Sequence, residues 1–156
     1  MDARFQTYAI QKDEKLKNAF NVVYYSVYYF MCSVLVFAGV AKLYNPFPVL
    51  EVLRDSTPVP TLLLIGFVAF IAVFETLLGL MLILRIKVKE NLISTGVLFL
   101  FIFIFTIYGA TMGINGETGC FGGLIKSQFD ISMVVKNSIF LLAAISLLIK
   151  EIELPE

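Results

Sequence analysis

Apolar residues in this chain come in long runs separated by short polar stretches. Four of the runs reach the ~20 residues that carry a helix across the hydrocarbon core of a bilayer. They extend from about Val22 to Ala41, Thr61 to Leu84, Leu92 to Met112 and Met133 to Ile149. In lipid every backbone N–H and C=O must be satisfied within its own segment, so the runs predict helices. Only a few residues join the second and third runs, which makes them antiparallel neighbours. The pattern therefore predicts an all-α protein, an integral membrane antiparallel four-helix bundle with outer loops after spans 1 and 3. The bundle is expected over residues 21–150, with tails at 1–20 and 151–156. About twenty mostly polar residues precede the first run, and it is longer than the ~7–15 residues of a signal-peptide core, so it is expected to stay in the mature protein. The first tail reads either as a short interfacial helix through Phe5, Tyr8, Leu16 and Phe20 or as a frayed segment.

Composition agrees with a membrane setting and removes several kinds of chemistry. The chain of 156 residues is 59% hydrophobic and 15% charged, with a mean hydropathy of +0.88, too apolar for an ordinary soluble domain of this size. Net charge is zero, so no basic surface points to nucleic acid. The absence of histidine removes the commonest metal ligand and general base, and two cysteines alone cannot make a zinc site. No Ser/His/Asp or Cys/His set is available for hydrolysis. Without an evident inverted repeat, a small-molecule carrier has little support.

The distribution of lysine and arginine sets an expected orientation. Arg4, Lys12, Lys15, Lys17, Arg85, Lys87, Lys89 and Lys150 fall on one side, and Lys42, Arg54, Lys126 and Lys136 on the other. Eight against four places both termini in the cytoplasm and the two longer loops outside. Tyr24, Tyr25, Tyr28 and Tyr29 fit an aromatic belt at the inner interface. The outer loop from Tyr44 to Pro60, with four prolines around Val49, Leu50, Val52 and Leu53, reads either as a surface helix or as a lid over the bundle.

Within the spans, small residues mark packing faces: Thr106, Gly109, Ala110 and Gly113 at helical spacing, and Gly79 one turn after Glu75. Glu75 is the most costly residue, since an acidic side chain near the bilayer centre costs at least about 2.5 kcal/mol. It is either protonated or matched by a hydroxyl or cation from another span, with Tyr28, Thr106, Tyr108 and Asn137 as candidate partners. Its role is a neutral structural hydrogen bond, a proton relay or the wall of a small-molecule pocket. Lys42, on the same face as Cys32 and Gly39, either snorkels to the headgroups or turns into the mouth of the bundle. Their difference in depth predicts that Lys42 and Glu75 interact indirectly, across a ligand.

The other candidate chemistry is the segment Gly113 to Gly123, rich in glycine and holding Cys120. Cys120 is inert and packed with Phe121, a thiol that exchanges with a partner, or half of a permanent intermolecular bridge. Cys32, near the middle of span 1, reads as a small buried core residue.

These residues together resemble a known family. Phe37-Ala38-Gly39-Val40-Ala41-Lys42-Leu43 with Pro46 and Phe47, then Phe74-Glu75-Thr76-Leu77-Leu78-Gly79, then Gly119-Cys120-Phe121-Gly122, are similar in order and spacing to the MauE/DoxX group of redox-associated membrane proteins. The resemblance covers nearly the whole chain from the first span to the fourth. It implies a four-span bundle in a bacterial cytoplasmic (inner) membrane. It also implies extracytoplasmic thiol–disulfide exchange or quinone-linked electron transfer beside thioredoxin-like partners, with quinone the candidate cofactor. Cys120 and Glu75 are the candidate catalytic residues, and Lys42, Phe121, Gly122 and Tyr28 the candidate binding residues. The MauE-type loop usually reads Cys-x-Cys-Phe-Gly, and here its first position is Thr118. A disulfide oxidoreductase needs a second sulfur to resolve its mixed disulfide, so the departure implies an accessory role. The alternative is a non-catalytic transmembrane subunit or assembly factor of a larger complex.

Overall fold

A computed structural model describes residues 3–112 and 131–153, all of them in helices or the short connections between helices. Five helices follow one another: α1 (Ala3–Tyr44), α2 (Phe47–Ser56), α3 (Thr61–Ile83), α4 (Val88–Thr111) and α5 (Ile131–Glu153). Four of them contain stretches long and apolar enough to cross a membrane, namely Phe20–Tyr44, Thr61–Ile83, Val88–Thr111 and Ile131–Glu153. Residues such as Phe30, Phe70, Val97 and Leu142 are exposed on the flanks, the surface expected of helices that meet lipid. The first tail is helical from Ala3 and continuous with span 1.

Helix boundaries follow from proline and from turn chemistry. α1 stops at Tyr44, just ahead of Pro46, and Pro60 is the residue before α3. Proline is disfavoured inside a helix but suited to its entrance, and α2 also carries proline in its first turn. The α3–α4 connection is a tight hairpin in which Arg85 and Lys87 adopt left-handed backbone conformations, with φ of 55° and 44°. Asn91 closes it by donating from Nδ2 to the Ile86 carbonyl at 2.7 Å.

The four spans form two closely packed antiparallel pairs, α1 with α3 and α4 with α5, set side by side. Glycine makes the first pair possible. A Cβ added to Gly39 would clash with the Thr76 hydroxyl and come within 2.6 Å of the Ala72 carbonyl, and one on Gly79 would lie 3.0 Å from the Cys32 carbonyl. The glycine of each helix thus receives the backbone of the other, the close approach that small residues permit in membranes. On α4, Thr106 and Gly109 of the small-residue stripe are buried, while Gly113 lies outside the described residues.

This register fixes relative depth. Gly39 faces Ala72 and Thr76, so α1, ending at Tyr44, stops near the level of residue 69, about 12 Å below the start of α3. α2 fills the step. Its Val52 is buried, Val49 and Leu53 turn inward, and Glu51, Arg54 and Asp55 face out. The proline-rich connection is therefore both a helix and a cover.

Packing is uneven along the bundle. At the hairpin end, Tyr28, Met31, Cys32 and Leu35 of α1 mesh with Leu82, Leu92, Ala144 and Leu147 in a dense core. Cys32 is fully buried there, as expected of a core cysteine. Toward the α2 end two small cavities lie beside Lys42 and Glu75, and a wider space of about 400 Å³ lies between α1 and α5 at the hairpin end, against Tyr24, Val27 and Leu147.

Candidate functional site

Lys42 and Glu75 meet inside the bundle, where they are 7% and 2% exposed. Lys42 Nζ donates to Glu75 Oε2 at 2.5 Å. The expectation of an indirect interaction is corrected by this contact, and helix geometry supplies the reason. Cα–Cβ bonds tilt toward the N-terminus of their helix. On antiparallel helices, Lys42 leans back along α1 while Glu75 leans the opposite way along α3, so the two heads converge. The register places Lys42 level with about residue 71, near the middle of α3 rather than at its end, and this leaves little of the assumed depth difference to bridge.

Neighbouring polar groups are satisfied elsewhere. Asn137 on α5 donates from Nδ2 to Thr106 Oγ1 at 2.7 Å, and Thr106 in turn donates to the Ile102 carbonyl. Tyr108 is 45% exposed on the flank. Tyr28 donates its hydroxyl to the Leu82 carbonyl at 2.7 Å, at the other end of the bundle. About fourteen residues, or ~21 Å, separate it from Lys42 along α1. Of the partners considered for Glu75, the structure thus brings in the cation, leaves Tyr28, Thr106 and Asn137 with other contacts and sets Tyr108 on the flank. Cys120, Phe121 and Gly122 lie outside the described residues.

The four tyrosines of span 1 divide by spacing. Tyr24 and Tyr28, four apart, are buried, and Tyr24 donates to Glu151 Oε2 at 2.7 Å. Tyr25 and Tyr29 are exposed at 43% and 46%, as belt residues would be. Arg85 lies over the Tyr25 ring and Lys150 over the Tyr24 ring, with cation-to-centroid distances of 5.6 and 4.2 Å. These contacts lock α1, α5 and the hairpin together, so half of the expected belt is interior structure.

Cavities flank the ion pair. One, of about 90 Å³, is bounded by Val49 and Leu53 of α2, Phe67 and Ile71 of α3, and Phe101 and Phe105 of α4, with Lys42 and Glu75 in its wall. A smaller one of about 30 Å³ lies in the seam between the helix pairs, against Ala38, Phe99, Asn137 and Phe140, and also touches Lys42 and Glu75. The pair is therefore the charged element in the walls of both spaces. These wall residues were missed in the sequence, although the inward spacing of Val49, Val52 and Leu53 was a signal for the α2 part. Among the described residues no group of histidine, cysteine, aspartate or glutamate could hold a metal ion.

A family model described as methylamine utilisation protein MauE matches residues 20–150. That stretch contains all four spans and the Lys42–Glu75 pair. No curated protein and no solved structure matches the chain.

Proposed function

The chain belongs to the MauE family, and on that footing we propose that it takes part, as an accessory component, in extracytoplasmic thiol–disulfide or quinone-linked electron transfer in a bacterial cytoplasmic membrane. The observation that carries this reading is the Lys42–Glu75 pair, a buried ammonium and carboxylate between two cavities. Ionisable groups at membrane depth are costly and are retained where a proton or a ligand has to be handled. Glu75 can take up or release a proton, and Lys42 can steady a reduced, electron-rich species beside it. Cys120 is the group that would exchange with a thioredoxin-like partner.

The orientation, with both termini cytoplasmic, draws support from the same pair. Lys42 is held inside the bundle and drops out of the loop count, which leaves three basic residues on the proposed outer side against eight on the inner. The accessory role rests on Thr118, which stands where a second thiol would resolve a mixed disulfide. That same substitution favours the second reading, a non-catalytic subunit or assembly factor whose bundle docks on other transmembrane helices.

Purification from native membranes, with thiols trapped and partners and quinone identified by mass spectrometry, tests the reading. A thioredoxin-like protein disulfide-linked to the wild type and lost in Cys120→Ser is the expected result. A stable complex unaffected by Cys120→Ser, without bound quinone, would instead establish the subunit reading.

A further inference from the structure

The larger of the two cavities beside the ion pair has an entrance, a cover and a polar wall, and together these define what it can hold. Its sides at Phe67 and Phe101 are formed by residues 44% and 53% exposed on the flank of the bundle, so the space opens sideways between α3 and α4. In a membrane-spanning bundle that flank faces lipid. At the α2 end the inward side chains Val49 and Leu53 close it. Apart from the ion pair every side chain around it is apolar, which disfavours a water filling. Its volume of about 90 Å³ is somewhat below that of an engineered ~150 Å³ cavity that accepts benzene. It therefore suits a single ring or a short branched group, with the rest of the molecule lying in the bilayer.

The polar wall selects the head group. An ammonium carries three N–H donors, and the contact with Glu75 Oε2 uses one. A ligand arriving beside Lys42 is matched best by an oxygen that accepts hydrogen bonds. We propose that this cavity is a binding site for a lipid-dissolved molecule with a ring-sized apolar head bearing a carbonyl oxygen, which enters between α3 and α4 and accepts a hydrogen bond from Lys42. This rests on the quinone-linked branch of the proposed function and assigns it a place, a route and a recognition group.

The test is equilibrium binding of a radiolabelled decyl-benzoquinone to the full chain in lipid nanodiscs, with decylbenzene as the competitor that lacks oxygen. The wild type should show saturable binding of one molecule per chain, which decylbenzene fails to displace. Ile71→Phe, which fills the cavity and keeps the ion pair, should abolish it. Lys42→Met combined with Glu75→Gln, which keeps the volume and removes both charges, should weaken it at least about tenfold, as loss of a hydrogen bond from a charged donor predicts. Absence of saturable binding, equal competition by decylbenzene, or unchanged binding in either folded variant would overturn the proposal. Binding is measured without any redox partner, so failure here is distinct from failure to trap a partner through Cys120.

Discussion

Lys42 and Glu75 form a 2.5 Å ion pair from antiparallel helices whose backbones touch at Gly39 and Gly79. The glycines and the charges are one arrangement. Close approach of α1 and α3 sets the register, and the register brings two oppositely leaning side chains head to head.

Removing one member of that pair leaves the other as an uncompensated buried charge. Glu75→Ala should destabilise the bundle by about 3–5 kcal/mol, whereas Lys42→Met with Glu75→Leu should be close to neutral or stabilising. Reversible unfolding in mixed micelles measures both. A single variant as stable as the wild type would mean that the pair is not held in a dry interior.

The two glycine environments predict opposite signs. Gly39→Ala forces a Cβ toward the backbone of α3 and should cost about 1–3 kcal/mol. Gly66 has nothing within 4 Å of an added Cβ, so Gly66→Ala should stabilise its helix by about 0.5–1 kcal/mol. Thermal unfolding of the two variants side by side would reveal equal effects if the α1–α3 contact were looser than described.

The Asn137–Thr106 hydrogen bond joins α4 to α5 within the membrane span. Interhelical hydrogen bonds in membrane proteins average about 0.6 kcal/mol and reach about 1.7. Asn137→Leu should therefore cost no more than that range, read from the same unfolding equilibrium. A loss of several kcal/mol would assign Asn137 a larger share in holding α4 and α5 together.

Lys87 sits at φ 44° in the α3–α4 hairpin, a conformation that glycine adopts without the penalty of about 1–2 kcal/mol borne by other residues. Lys87→Gly gives up the exposed contact with Glu90 at 3.2 Å, and such surface pairs contribute little. A small net gain in unfolding midpoint is expected, and a clear drop would show that the lysine side chain matters to the turn.

The spans were legible in the sequence because lipid leaves a long apolar run few alternatives to a helix. The Gly79 contact was legible as a small residue on a packing face. Relative depth was not. Hydropathy gives the length of each span but not the offset between neighbours, so the ~12 Å step between the ends of α1 and α3, and with it the direct ion pair, emerged only from the register. The division of the tyrosines was within reach, since Tyr24 and Tyr28 share one face and Tyr25 and Tyr29 the next. Position 52 illustrates the remaining difficulty: an apolar residue between prolines suits a surface helix and a cover equally, and only packing on α3 distinguishes them.

If the buried Lys42–Glu75 pair serves the proposed redox role as well as the fold, its removal reaches Cys120. The most direct test is the oxidation state of Cys120 in native membranes, read by differential alkylation and mass spectrometry, in the wild type and in the folded Lys42→Met, Glu75→Leu variant. Cys120 should be distributed between free thiol and partner-linked disulfide in the wild type, and should collect in one form in the variant. An unchanged distribution in a variant that is folded and inserted would contradict that role.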